Sequence, residues 1–245
     1  MQPVSPMPIG IIPPSDLFPI SKTQLPETDG EPLESSWHRL AMNVLVDSVA
    51  AYYRDRPDFY TAGNMFVYFG SEEAPKSVFR GPDFFAVWGR PSTPERRYWA
   101  VWDEDGHYPD VIVEFLSPTT ADKDLGSKKD LYQDTFRTTD YFCYDPDRKR
   151  LLGWTLMNGI YTPLVANPEG RLWSRKLDLW VGRWEGSISN IPDTWPRFFT
   201  SAGALVLLDN EIEKERANAL KTHADAQAVE IARLRTLLAE QGTQP

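Results

Sequence analysis

Two carboxylates in this sequence stand where a metal ion could use them. Asp83 directly precedes the apolar run from Phe84 to Trp88, and Glu114 lies inside the run from Val111 to Leu116. Short apolar runs bounded by Gly, Pro or charged turns are typical of β-strands. An ionised carboxylate among apolar neighbours is costly to bury without a counter-charge. A divalent cation would supply that charge; the alternatives are a salt bridge between Glu114 and a lysine or arginine, or a solvated sheet edge.

The metal interpretation has a definite chemical content. Asp83, Glu114, a backbone carbonyl near Phe115 and water would form the oxygen-rich, incomplete octahedral shell that Mg²⁺ or Mn²⁺ prefers. Asp110 falls on the same strand face as Glu114 by alternation and is a further candidate. A bound ion of this kind lowers the pKa of a water ligand and neutralises charge on a phosphate under attack.

A lysine near the same strand end would complete a phosphate-cleaving site. Lys128 is our candidate, because it lies about one turn into the helix predicted after the Glu114 strand, and its flexible stem can reach back. Lys123 and Lys129 are the alternatives. A solvated helix face is the simpler explanation for a cluster of this type.

Three segments of different composition surround these residues. Residues 1–33 are rich in proline, which blocks helix repeatedly and predicts an extended arm. We expect one folded domain over residues 34–205 and a long helix within residues 206–245. The domain begins with an amphipathic helix that starts at Ser36, with Ser35 or Ser36 as its N-cap, and ends before Arg56-Pro57.

The remaining pattern predicts a mixed α/β (α+β) fold. Helix, three strands, helix and strand follow one another, and hairpin signals then indicate an antiparallel extension at the sheet edge. The expected strands span Asn64 to Phe69, Phe84 to Trp88, Val111 to Leu116, Tyr141 to Tyr144, Leu151 to Leu156, Ile160 to Val165 and Leu177 to Val181, and the second helix spans Asp122 to Phe136.

The tail is rich in Ala, Glu, Arg and Leu, and it predicts one helix from about Asn210 to Glu240. A series of residues in it recurs at alternating steps of four and three, the spacing of a coiled-coil seam. The alternative is a helix packed on its own domain. The seam residues are Leu220, Ala224, Gln227, Ile231, Leu234 and Leu238.

Composition excludes several classes of protein. The 245 residues carry a formal net charge of −9 and a single cysteine, so paired-cysteine zinc sites and an intrachain disulfide are excluded. A cytoplasmic protein without a membrane-spanning segment is expected. The acidic balance opposes nucleic-acid binding unless basic residues gather on one face. Candidates for such a face include Arg96, Arg97, Arg137, Arg148, Lys149 and Arg150.

Taken together, these residues resemble the PD-(D/E)XK nuclease superfamily. Within it, the stretch from Pro109 to Thr120, followed by Asp124-Leu125-Gly126, Lys128 and Leu131-Tyr132, resembles the Uma-two-like restriction endonucleases. The resemblance covers roughly Asp29 to Val165. It implies a restriction-endonuclease-like mixed sheet with flanking helices, Mg²⁺ dependence and cleavage of DNA.

The resemblance also implies a role for individual residues. Asp83 matches the first metal carboxylate and Glu114 the second. Leu116 stands where the superfamily has its lysine, but the Uma-two-like pattern places that lysine on the following helix, which corresponds to Lys128. Glu34 or His38 would match the polar group that the first helix often contributes.

Three functions follow as hypotheses. The first is a metal-dependent endonuclease, active as a homodimer because a dimer can address both DNA strands. The second is a catalytically silent nuclease-like scaffold that recruits a protein partner through its C-terminal helix. The third is an enzyme that uses the same Asp, Glu and Lys residues on a small phosphorylated substrate.

Overall fold

The computed structural model describes residues 35–70 and 78–241, without the side chains of residues 236–241. The predicted proline-rich arm and Glu34 lie outside these residues. The helices are α1 (Ser36–Tyr52), α2 (Ala121–Leu125), α3 (Ser127–Leu131) and α4 (Asp209–Gln241), and a π-helical turn (Tyr132–Phe136) follows α3. The strands are β1 (Phe59–Ala62), β2 (Val67–Tyr68), β3 (Phe79–Arg80), β4 (Phe84–Trp88), β5 (Trp99–Ala100), β6 (Val111–Phe115), β7 (Asp140–Asp145), β8 (Arg150–Met157), β9 (Ile160–Pro163), β10 (Leu172–Ser174), β11 (Leu179–Ile188) and β12 (Ile191–Phe199).

A six-stranded mixed sheet forms the centre of the fold, in the order β1-β4-β6-β7-β8-β9. β6 and β7 are parallel, and the other neighbours in this sheet are antiparallel. The predicted mixed α+β class is therefore confirmed, as are the first two strands of the antiparallel extension, β8 and β9. The third expected strand, Leu177 to Val181, does not extend this sheet, because β11 pairs with β10 and β12 in a separate sheet. β6 and β7 are buried on both faces, as a central strand pair covered on both sides requires.

Different elements cover the two faces of the central sheet. One face packs against α1 and a second sheet, β10-β11-β12. The other packs against the π-helical turn and residues of β2 and β5, which belong to a small sheet of order β3-β2-β5. Trp37 of α1 stacks on Tyr144 and Trp195, with ring centroids 5.8 and 5.6 Å away. These contacts fix the first turn of α1 against both sheets.

Two further predicted elements differ from the structure. The run Asn64 to Phe69 does not join the central sheet: only Val67–Tyr68 is a strand, in the small sheet, and the unpredicted Phe59–Ala62 occupies the edge position. The reason is a turn between them, where Asn64 has a φ of 47°. The predicted helix Asp122 to Phe136 is broken at Gly126, where a Cβ would lie 2.8 Å from the carbonyl oxygen of Asp122.

The C-terminal helix was predicted correctly, and α4 is anchored only at its start among the described residues. The fully buried Arg197 of β12 donates hydrogen bonds to the Glu211 carboxylate at 2.6 and 3.1 Å and to the Val206 carbonyl at 2.9 Å. Arg54 of α1 pairs with Asp209 at 2.5 Å. Every described side chain from Glu213 to Arg235 is exposed, so this helix does not pack on its own domain. No helix within residues 35–70 and 78–241 has the length and apolar character needed to cross a membrane.

We expect the buried Arg197–Glu211 pair to stabilise the domain. Glu211→Ala leaves a buried guanidinium without its counter-charge, which should lower the free energy of unfolding by about 3 kcal/mol. Glu213→Ala is the matched control, because Glu213 pairs with an exposed arginine of the same helix and should change stability by less than about 0.5 kcal/mol. Urea unfolding of both variants measures the difference; equal stabilities would contradict a role for the buried pair.

Candidate active site

The candidate site lies where β4 begins and β6 ends. The two strands are antiparallel neighbours, with Phe84 opposite Val113. This register brings Asp83, the residue before β4, alongside Glu114 near the end of β6. The pairing of the two carboxylates expected from the sequence therefore has a simple geometric origin.

Two groups hold the Asp83 carboxylate. His38 Nε2 lies 2.6 Å from Asp83 Oδ1, and the Phe115 amide donates to Oδ2 at 2.6 Å. His38 is in the first turn of α1, whose N-cap Ser35 accepts a hydrogen bond from the His38 amide at 3.1 Å. The cap and the stacked Trp37 position the imidazole, which in turn orients Asp83.

Glu114 is almost completely buried, with 1% of its surface exposed. Its Oε1 accepts a hydrogen bond from the Tyr132 hydroxyl at 2.8 Å. Burial raises the pKa of the Glu114 carboxyl to about 8. Lys128 opposes this rise in pKa, Asp83 and Asp124 add to it, and the Tyr132 hydrogen bond lowers it slightly. Burial removes water from the Glu114 carboxylate and destabilises its ionised form, and a nearby cation offsets this cost.

Lys128 supplies that cation. Its Nζ lies 3.2 Å from Glu114 Oε2 and 2.7 Å from Asp124 Oδ1. Burial disfavours the charged ammonium, but the carboxylates of Glu114 and Asp124 outweigh it, and the pKa of Lys128 is raised above its ordinary value. Lys128 therefore remains protonated between two buried acids.

The two alternative lysines do not take this position. Lys129 lies with its ammonium 4.6 Å from the ring centroid of Trp154, and the Lys123 side chain is exposed. Adjacent helical residues point about 100° apart, which explains why Lys128 and Lys129 diverge. Of the three candidate lysines, Lys128 is the one that forms an ion pair with Glu114.

Sequence reasoning gave no site role to Asp124 or Tyr132, which the structure places against Lys128 and Glu114. Asp124 is 1% exposed, although its helix carries mostly exposed charges. The available signal was spacing: Asp124, Lys128 and Tyr132 are four residues apart, and such residues share one helical face. Glu114 meets this face from the sheet.

Asp110 is not part of the cluster. It precedes the opposite end of β6, where its carboxylate accepts a hydrogen bond from the Trp88 amide at 2.8 Å and lies 2.7 Å from Lys176 Nζ. These contacts give it a structural role in joining β4 to the segment before β11. The expectation that Asp110 is a further metal ligand is therefore wrong. The other candidate from the sequence, Glu34, lies outside the described residues.

The donor set fits a magnesium-type ion that keeps most of its water. In residues 35–70 and 78–241, no group of three His, Cys, Asp or Glu side chains is arranged to hold a metal ion by itself. Mg²⁺, however, is usually bound through one or two carboxylates and retains several waters. Asp83 and Glu114 provide two such carboxylates at adjoining strand positions, and the Phe115 backbone is held beside Asp83.

Comparison with known proteins gives this cluster a family context. Residues 22–187 match the model of the Uma2 family, described as "Putative restriction endonuclease". The chain belongs to the Uma2 family. This assignment agrees with the resemblance drawn from the residues between Pro109 and Tyr132.

A solved structure is similar to this chain, at low sequence identity. It is described as a putative nuclease belonging to DUF820 from Anabaena variabilis. The two sequences are 13% identical, the match covers 62% of this chain and 81% of that chain, and the TM-score is 0.43. No curated protein matches the sequence.

The Tyr132 hydroxyl should stabilise the protein more at high pH than at low pH. Burial and Glu114 raise the pKa of Tyr132 well above its ordinary value, so the hydroxyl stays protonated and donates. Above pH 8 its acceptor is an ionised carboxylate, and Tyr132→Phe should cost about 2 kcal/mol; below pH 7 the acceptor is neutral and the cost should fall to about 1 kcal/mol.

Tyr161→Phe is the matched control for this measurement. The buried Tyr161 hydroxyl donates to the Thr138 carbonyl at 3.0 Å, a neutral acceptor at every pH. Its removal should cost about 1 kcal/mol at both pH 6 and pH 9. Urea unfolding of both variants at the two pH values tests the difference, and a Tyr132→Phe effect that does not grow with pH would contradict it.

Proposed function

We propose that this Uma2-family protein is a metal-dependent endonuclease that hydrolyses DNA phosphodiester bonds, with Asp83, Glu114 and Lys128 as its catalytic residues. The observation that carries the proposal is the placement of Lys128 Nζ 3.2 Å from a buried Glu114 that adjoins Asp83 in the sheet. A cation, two carboxylates and a family of restriction-endonuclease type fit phosphodiester hydrolysis better than a purely structural salt bridge, since Asp83 is not needed to neutralise Lys128.

Asp83, Glu114 and the Phe115 carbonyl would hold Mg²⁺ or Mn²⁺. When bound, such an ion supplies charge neutralisation at the phosphate and makes a bound water a better nucleophile. His38 keeps Asp83 oriented, and Tyr132 does the same for Glu114. Lys128 is placed to stabilise a phosphate oxygen or orient the attacking water, while Asp124 holds its ammonium from the other side.

The charge distribution predicts modest affinity for DNA. The protein carries a net charge of −9, and several basic residues that could have lined one face have acidic partners. Arg96 lies 2.5 Å from Glu104, and Lys149 pairs with Asp193. Phosphate contacts by the remaining cations should make binding strongly dependent on salt.

The scaffold hypothesis is the alternative in which the protein is not an enzyme. It requires the same fold with an inert site and a partner bound through α4. The exposed helix favours it, whereas the assembled Asp83, Glu114 and Lys128 cluster has no evident purpose in a scaffold. The third hypothesis, a small phosphorylated substrate, uses the same residues and differs only in what the site accepts.

The first prediction from this proposal concerns metal binding. Isothermal titration with Mn²⁺ should give a measurable heat that is lost in the Asp83→Asn, Glu114→Gln double variant, because both amides lack the charge that attracts the cation. Asp110→Asn is the matched control, since Asp110 lies at the other end of β6 and should leave the heat unchanged. Binding that survives the double variant would exclude this metal site.

The second prediction concerns cleavage. Activity on supercoiled and single-stranded DNA should require Mg²⁺ or Mn²⁺ and disappear in Glu114→Gln. Lys128→Ala should lose about a hundredfold or more in rate, because transition-state contacts of this kind contribute a few kcal/mol. Lys129→Ala should lose little, and its loss should shrink as salt is raised.

Circular dichroism and urea unfolding show whether each cleavage variant is folded. A folded Glu114→Gln variant as active as the wild type would contradict the nuclease assignment. Inactivity of the wild type on DNA, together with metal-dependent hydrolysis of a phosphomonoester, would favour the small-substrate hypothesis. Inactivity on both would leave the scaffold hypothesis.

A further inference from the structure

The exposed part of α4 carries an apolar seam that its own domain does not cover. Arg197 and Arg54 hold the start of the helix, and from Glu213 to Arg235 every described side chain is exposed. The helix continues to Gln241, so this part extends about 40 Å at the α-helical rise of about 1.5 Å per residue. Leu220 is 72% exposed, Ile231 50% and Leu234 49%.

The seam follows heptad positions closely. From Ala217 onward, residues at alternating steps of three and four fall at the core positions a and d of a heptad. All of them are apolar except Gln227, which would form one polar layer in the core. Small alanines at two a positions allow two helices to approach closely, and a single polar core residue is a known means of setting register. The described seam residues are Ala217, Leu220, Ala224, Gln227, Ile231 and Leu234, all exposed.

We propose that the occupant of this seam is a second copy of the chain, bound as a parallel, in-register two-stranded coiled coil. Charge complementarity supports this choice. In a parallel pair, a g position faces the following e position of the other helix, and ion pairs form there. Glu230 occupies g and Arg235 the following e, so Glu230 would face Arg235 of the partner subunit on both sides of the seam.

An antiparallel arrangement would instead place like charges opposite one another. With the seam fully overlapped, g faces g and e faces e. Glu230 would then face Glu230 of the partner subunit, and Lys221 would face Arg235 of the partner subunit. Like charges in these positions are destabilising, so the flanking residues select the parallel orientation.

One unfavourable contact limits where the parallel coil begins. Arg216 at g would face Lys221 of the partner subunit at e. Glu213 partly neutralises Arg216, whose Nη1 lies 2.6 Å from the Glu213 carboxylate. The coil therefore begins at about Leu220 and runs for about three heptads, which is short enough to make dimerisation depend on concentration. A parallel pair leaves both folded domains at the same end of the coil.

Light scattering of the full chain across a concentration series tests the seam. The wild type should pass from monomer to dimer as concentration rises, and Ile231→Glu should weaken dimerisation about tenfold or more. Val229→Glu is the matched control, because Val229 is 70% exposed but lies at f, away from the seam. A wild type that stays monomeric, or an Ile231→Glu variant that dimerises as well as the control, would overturn the proposal.

Cysteine cross-linking tests the orientation. The native Cys143 is buried and is the chain's single cysteine, so it gives little background. Leu234→Cys places identical d residues together in a parallel pair and should form a disulfide-linked dimer under mild oxidation. Val229→Cys should not. A Leu234→Cys dimer that resists cross-linking would overturn the parallel orientation. These tests do not depend on nuclease activity, so their failure would leave the proposed function untouched.

Discussion

The burial of one carboxylate constrains most of what surrounds it. Glu114 lies near the end of a strand whose other residues all pack into apolar clusters, and it can stay there only with hydrogen bonds and a counter-charge. The hydrogen bond and the counter-charge come from Tyr132 and Lys128, and the second carboxylate of the site comes from the neighbouring strand. Tyr132 and Lys128 approach from the helices on one face, and Asp83, itself held by His38 of α1, adjoins from the next strand. The candidate site is thus the place where both covering layers meet the central sheet.

Placing the cation on a helix changes what the strand must do. Leu116 occupies the position where the superfamily pattern has lysine, and it is 5% exposed among the apolar side chains on the sheet face that the π-helical turn covers. The strand end is therefore free to contribute to the core. The break at Gly126 separates α2 from α3, and Asp124 and Lys128 remain close enough across it to form an ion pair. The residue that follows β6, Leu116, contributes packing, and α3 contributes the cation Lys128, so that one position does not have to serve both roles.

Much of the fold could be predicted because its signals are local. The spacing of apolar residues and the turn residues between them predict the strand from Val111 to Leu116, the helix from Ser36 and the hairpins after Asp145. Phe59–Ala62 was missed because a four-residue strand has little pattern, and its place at the sheet edge is set by pairing with β4. Glu114 and Lys128 could be identified because a charge in an apolar run requires a partner. Asp124 resembled a solvated helix charge, and its burial is set by the packing of its helix against the sheet, which the local sequence pattern does not show.

The separation between anchor and seam in α4 has an evolutionary consequence. Arg197 and Glu211 tie the helix to the domain in its first turn, whereas the described side chains beyond Ile212 are exposed. Substitutions in the outer turns therefore reach neither the sheet nor the carboxylate cluster. Under the proposed pairing, such a helix can acquire new pairing preferences while the domain keeps its fold. One ancestral domain could in this way give rise to paralogues that avoid pairing with one another inside the same cell.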